Sequence, residues 1–153
     1  MNQPILLSSQ IRDVVFGKDV KVVQPVNLYD CKIGDNCFIG PFVEIQSNAI
    51  IGDRTRIQSH SFICDGVTIG EDCFIGHGVM FVNDLFSNGG PAGDKTAWNT
   101  TRIGNRVSIG SNVTMLPVSV CDEVVIGAGA VVTKNIQEKG IYAGNPARLL
   151  RRL

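Results

Sequence analysis

An all-β chain wound as a solenoid of three-sided coils is the fold class that the sequence predicts, and three observations predict it. First, one apolar residue recurs every six: Ile33, Ile39, Ile45, Ile51, Ile57, Ile63, Ile69, Ile75 and Phe81 share a single register. Second, glycine often follows that residue (Gly34, Gly40, Gly52, Gly70, Gly76), and a small or β-branched residue falls four positions after it: Cys37, Val43, Ala49, Thr55, Ser61, Val67, Cys73, Val79. Third, a helix repeats every 3.6 residues and a flat strand every 2, so neither buries one residue in six. A six-residue period fits the hexapeptide repeat of a parallel β-helix, with three hexads closing one triangular coil. The aliphatic residue points inward, the small one fits beside it, and the glycine is expected to let the backbone turn.

Residues 1–15 precede the clear repeat, and Ile11 with Val14 and Val15 is expected to cap the open end, as a solenoid requires. The register starts at Phe16 and runs through Val22 and Leu28. The step from Leu28 to Ile33 is five residues, which tightens one turn. Coils then fall at 16–32, 33–50 and 51–68, and a fourth begins at Ile69. The pattern breaks at Asp84. Residues 84–102 carry three glycines and a proline and no hexads, and a long patternless insertion in a compact fold is usually functional or disordered. The repeat resumes at Ile103, passes Ile109 and Met115, takes a second five-residue step to Val120, and ends with Ile126 and Val132. The division predicted is a cap at 1–15, a β-helix of about six coils over 16–140 with loop 84–102 after coil four, and a tail at 141–153. Asn145-Pro146 is expected to open a short C-terminal helix.

Composition excludes several classes. The chain has 153 residues and a formal net charge of zero, so no overall field draws it to nucleic acid or membrane. No apolar run approaches the length of a membrane span, and Met1–Ser9 lacks the cationic start of a signal peptide. Five cysteines with no CxxC pair fit reduced structural thiols in a cytoplasmic protein.

Spacing alone singles out one edge. Residues 18 apart lie one above another at the strand spacing of about 4.8 Å. Asp65 and Asn83 stand in that relation, as do Ser47 and Asp65, while Asp30 precedes Ser47 by 17 across the short step. Asp30, Ser47, Asp65 and Asn83 therefore climb one edge to the point where the loop leaves, and Asp84 follows. Asp and Asn favour turns in any protein, so the position of Asn83-Asp84 at the loop exit is what distinguishes this ladder. The two histidines, His60 and His77, lie diagonally on adjacent coils of a neighbouring face.

The whole of 16–150 resembles the hexapeptide-repeat acyltransferases, through the repeat itself and through IGAGAVVTKNI (126–136) followed by GNPAR (144–148). That resemblance implies a left-handed β-helix, and a prism with flat faces favours a symmetric trimer. FIGPFVEIQ (38–46), RIQSHSFICDGVTIG (56–70), FIGHGVMFVND (74–84) and Trp98 ahead of Thr101 look like the bacterial nucleotide-sugar 3-N-acetyltransferases. Cys121, where glycine is usual, and IQEKG, where a proline is often found, depart from the pattern at local turns. The narrower resemblance implies acetyl transfer from acetyl-CoA to the amino group of a UDP- or dTDP-linked amino sugar. It also implies a role in bacterial surface polysaccharide (lipopolysaccharide) synthesis, with active sites between subunits of a homotrimer and no metal.

The resemblance carries substrate-amine contacts onto Asp65, Asn83 and Asp84, which are expected to orient the amine rather than deprotonate it. His77 is the candidate base. Acetyl-CoA would meet backbone amides around Gly110, Ser111, Gly127 and Ala128, and cations at Lys134, Arg148, Arg151 and Arg152. His60 is expected at the trimer interface or the substrate. Trp98 covers either cofactor or neighbouring subunit and joins the substrate-side set. Three coils below Asn83, Asn27 and Tyr29 would meet the nucleobase, with Arg54 or Arg56 at the pyrophosphate between. Three other functions compete. A zinc carbonic anhydrase needs three histidines, and only two exist. A sugar O-acetyltransferase would need a strong base, which His77 could supply. A non-catalytic scaffold gives no reason for the loop or the polar ladder.

Overall fold

The computed structural model describes residues 3–5 and 7–153, and positions 1, 2 and 6 of the expected cap lie outside the described residues. Three parallel sheets form the walls of a triangular prism. The first face stacks seven strands: Ile11–Arg12, Asn27–Tyr29, Glu44–Ile45, Phe62–Ile63, Met80–Phe81, Thr114–Met115 and Val131–Val132. The second stacks six, from Val15–Phe16 to Ser119–Val120. The third begins at Lys21–Val22 and ends with Gly140–Ala143 and Arg148–Arg152. Each strand is short because the chain turns a corner after every hexad.

Two columns of side chains fill each wall of the interior. The aliphatic column is completely enclosed: Leu28, Ile45, Ile63, Phe81 and Met115 on the first face are all 0 % exposed. The second column holds the small residues predicted beside it, including Cys37, Ala49, Cys73, Val107 and Val124, all buried. Three of its members are polar, Thr55, Ser61 and Thr101. Thr55 Oγ1 donates to the Gly70 carbonyl at 2.9 Å and accepts from the Cys73 amide at 3.1 Å. Ser61 Oγ bonds Gly76 and Val79 in the same way, so neither of these two hydroxyls is buried without partners.

The glycines do not do what their position suggested. The corner is turned two residues later, at the third position past the aliphatic, where Asn36, Phe42, Asn48, Arg54, His60, Asp72, Arg106, Asn112 and Glu123 all have φ between 50° and 65°. The glycine after the aliphatic is instead a close-approach position. A Cβ on Gly52 would lie 2.5 Å from the Gly70 carbonyl carbon of the next coil.

Three boundaries are corrected. The winding starts before Phe16, because Ile11–Arg12 pairs with Leu28 and Tyr29. The expected cap is therefore the first rung, which gives about seven turns where six coils were expected. The inserted loop ends at Thr100, because Thr101 already pairs with Val67. The tail is not a helix. Gly140–Ala143 adds in parallel to Val125–Ile126, and Arg148–Arg152 returns antiparallel on it. The last rung offers unpaired strand groups that a hairpin satisfies and a helix would not, and Gly144 turns the hairpin at φ 95°.

Candidate active site

The corner between the first and second faces holds every departure from the six-residue step. The five-residue steps from Ile11 to Phe16, Leu28 to Ile33 and Met115 to Val120, the four-residue step from Val132 to Ile136 and the inserted loop all fall there. The predicted ladder climbs this corner and is joined by hydrogen bonds. Ser47 Oγ donates to Asp30 Oδ2 at 3.3 Å, and Asn48 Nδ2 donates to Asp65 Oδ1 at 3.1 Å. Asp65 is set into the edge, its side chain only 15 % exposed. Above it the chain leaves at Asn83 and returns at Asn99, whose amide donates to the Asn83 carbonyl. Sequence reasoning missed Lys95, which reaches back from the loop to Asp65 Oδ2 at 3.3 Å. A loop without register gives no geometric signal for one of its side chains.

Asp84 is placed differently from its expected role. Its Oδ1 accepts from the Phe86 amide at 2.9 Å and its Oδ2 from the Ala92 amide at 2.7 Å. Both oxygens are directed at the loop's own backbone, so this carboxylate organises the loop and does not face the ladder. Asp94 does similar work by accepting from the Thr96 amide and opening the short 3-10 turn Lys95–Ala97. Trp98 follows that turn with the Lys95 ammonium 5.5 Å from its ring centroid.

The opposite edge of the first face, where the third face turns into it, carries both histidines and half of the expected cofactor residues. His60 is exposed there in left-handed backbone and stacks on Phe42 with ring centroids 4.8 Å apart. His77 occupies the same corner one coil up, and its carbonyl accepts from the Asn112 amide. Gly110-Ser111 and Gly127-Ala128 continue the column toward the C-terminal end. His77 and Asn83 are six residues apart along one wall, at most about 20 Å of extended chain. They flank the strand Met80–Phe81 from the two edges of the first face.

The remaining cofactor residues gather at the C-terminal end. Lys134 and Arg148 line a common cleft of about 300 Å³ with Val132, Asn135 and Tyr142. Arg151 lies opposite Ile141 in the closing hairpin, and Arg152 is paired with Glu138 at 3.2 Å. At the other end, Asn27 and Tyr29 line a cleft with Ser8, Gln10, Arg12 and Glu44. Asn27 Nδ2 donates to Glu44 Oε2 at 3.0 Å, while its Oδ1 is buried and meets no donor among the described residues. The Arg12 guanidinium sits 4.9 Å above the Tyr29 ring. Burial, then the Glu44 carboxylate, push the Tyr29 phenol up from its ordinary range, which keeps its O–H as a donor.

Arg54 and Arg56 are not between these two places. Arg54 turns the corner from the second to the third face, where Asp72 at 2.7 Å and Glu71 at 2.6 Å hold its guanidinium. Arg56 lies on the third face over the Phe38 ring. The expectation failed because Arg54 stands three residues past Ile51, one corner further round than the ladder. Among the described residues no group of three or more His, Cys, Asp or Glu side chains is placed to hold a metal. Among the described residues no helix is long and apolar enough to cross a membrane.

Known proteins match the chain in the same terms. The family described as bacterial transferase hexapeptide (six repeats) matches residues 30–65, and the hexapeptide repeat of succinyl-transferase matches 100–134. Galactoside O-acetyltransferase of Escherichia coli K12 is 48 % identical over 52 residues, 33 % of this chain and 26 % of that protein. The chain spans about a quarter of the length of the curated relatives it matches. A hexapeptide transferase family protein of Anaplasma phagocytophilum superposes with a TM-score of 0.76 at 19 % identity, covering 92 % of this chain and 79 % of that one. A mutant of GDP-perosamine N-acetyl transferase from Caulobacter crescentus, in complex with CoA and GDP-perosamine, superposes at 0.63 with 18 % identity, covering 92 % and 57 %. Hexapeptide-repeat models thus match on either side of the inserted loop, and the chain is wound as the β-helix of the hexapeptide transferases to which it is similar.

Proposed function

We propose that this chain is an acetyl-CoA-dependent N-acetyltransferase whose acceptor is the amino group of a nucleotide-linked amino sugar. The observation that carries the reading is the edge Asp30–Ser47–Asn48–Asp65, which ends at Asn83 beside the loop. The Asp30 and Asp65 carboxylates are acceptors only, so this edge suits a group that brings donors, and a neutral primary amine brings two where a hydroxyl brings one. Holding the N–H groups aims the nitrogen lone pair at the thioester carbonyl. The amine needs no strong base to attack once it is neutral, and Asp65 serves as its orienting group. The GDP-perosamine enzyme supports a nucleotide amino sugar as the acceptor class and CoA as the donor's carrier.

The donor is assigned to the opposite edge, along Ser111 and Ala128 toward Lys134 and Arg148. Donor and acceptor edges flank one face, so the reaction requires a boundary between copies, with the His77 column of one copy beside the Asn83 ladder of the next. A homotrimer supplies three such boundaries. The nucleobase is assigned to the cleft at Asn27 and Tyr29, where the buried Asn27 Oδ1 awaits a donor.

Acetyl transfer to a sugar hydroxyl is the second reading, favoured by the 48 % identity to a galactoside O-acetyltransferase. Coenzyme A release with amino and hydroxyl versions of one nucleotide sugar separates them. Turnover with the amino form alone is expected, and turnover confined to the hydroxyl form removes the proposal. Tyr29→Ala is expected to raise KM for the nucleotide sugar and leave KM for acetyl-CoA unchanged.

A further inference from the structure

Lys95 is a primary ammonium, the same chemical group as a protonated amino sugar, and it is bound to the carboxylate assigned to that sugar. Its Nζ donates to Asp65 Oδ2 at 3.3 Å, while Asn48 fills Asp65 Oδ1 at 3.1 Å. The two partners are unequally placed. The Asp65 side chain is 15 % exposed and the Lys95 side chain 68 %. The carboxylate belongs to the rigid edge, and the ammonium reaches it from outside on a segment without ladder pairing. The segment is shaped to deliver it. Asp94 caps the turn that begins at Lys95, and Trp98 closes the turn with its amide on the Lys95 carbonyl at 3.1 Å.

We propose that Asp65 with Asn48 forms a subsite for a primary ammonium, that Lys95 is its resident occupant, and that the acceptor's amine displaces Lys95 and frees the loop. This rests on the N-acetyltransferase reading. The geometry admits the exchange because an ion pair with so exposed a lysine is weakly held, and the incoming ammonium replaces the bond that is lost. It also gives specificity. An ammonium competes with Lys95 for the carboxylate on equal terms, whereas a hydroxyl leaves either the Lys95 charge or the Asp65 charge without its counterpart.

Trp98 is the only tryptophan in the chain, so its emission reports the loop without any acetyl transfer. Methylammonium chloride is expected to shift Trp98 emission in the wild-type protein, while tetramethylammonium chloride at the same ionic strength, which has no N–H, is not. Asp65→Asn is expected to show the shifted emission from the outset and no response to methylammonium. In kinetics, Lys95→Met is expected to lower KM for the amino acceptor by about two- to fivefold, the range of an exposed ion pair, with KM for acetyl-CoA unchanged. Wild-type emission in Asp65→Asn, or an acceptor KM that is unchanged or raised in Lys95→Met, would overturn the proposal. If methylammonium moves Trp98 but only hydroxyl acceptors are acetylated, the amine-transfer reading fails and the ammonium subsite stands.

Discussion

The amide of Asn99 donates to the carbonyl of Asn83 across 2.9 Å, fastening the two ends of the loop to each other. The rungs on either side are in register as if nothing intervened. Val67 pairs with Thr101 and Met80 with Thr114, strand on strand. Replacing 85–98 with Gly-Gly is therefore expected to leave the β-helix folded. The melting temperature should move by no more than about 4 °C, equivalent to about 1 kcal/mol in a chain of this size. CoA binding should persist, and calorimetry with far-UV circular dichroism checks both.

Gly52→Ala should be far more damaging than its one added methyl suggests. The new Cβ meets the Gly70 carbonyl carbon at 2.5 Å, its oxygen at 2.6 Å and the Glu71 nitrogen at 2.8 Å, all backbone. Backbone cannot rotate away, so a loss of about 1–3 kcal/mol is expected from overpacking. Gly90→Ala is the control, because nothing lies within 4 Å of its Cβ. Equal denaturation midpoints for the two variants would contradict the close-approach role.

The thiols should be nearly inert while the chain is folded. Burial pushes Cys64 up to about 12 and Cys31 up to about 11, from 9.0, and only Cys121 of the five is not buried. At pH 8 a thiol reagent is expected to modify Cys121 first and the other four only on unfolding. A raised thiol pKa means that the folded state binds more protons than the unfolded state above pH 9. Stability is then intact below about pH 9 and lost as pH rises toward 11 to 12, which urea midpoints across that range would reveal.

Asn83→Ala should cut turnover by about a hundredfold, the cost of a misplaced reactant, with CoA affinity unchanged. His77→Ala is expected to cost much less, because an amine attacks with its own lone pair. A loss beyond about a thousandfold would make His77 an essential base and favour the hydroxyl acceptor. Single-turnover rates with matched CoA titrations distinguish these outcomes.

The repeat was legible because every inward residue answers to one rule. Ile33 through Phe81 could be placed by counting, and the 17- and 18-residue offsets put Asp30, Ser47 and Asp65 on one edge correctly. Counting failed where a second rule intervened. The glycine and the turn lie in the same hexad, and only the backbone angles separate their tasks. Arg54 was given the wrong corner because its charge was weighed before its position past Ile51. The tail was read from Asn145-Pro146, a local signal, whereas the open strand edge at Val125–Ile126 decides its conformation. Lys95 was invisible because nothing in the sequence says where an unrepeated loop folds back.

Confining every change of step to one corner has a consequence for how such a chain can be altered. Two corners turn by a near-constant pattern, and any change in their length would shift each inner side chain off its column. The third corner absorbs a shortened turn at Cys31 and at Val118 and a long excursion after Asn83 with no loss of stacking. It works as a splice point, where segments can be exchanged between scaffolds of this kind while both neighbouring walls stay in place. A graft replacing 85–98 would inherit a ready-made anchorage at Asn83 and Asn99 and a carboxylate at Asp65 directly beneath it.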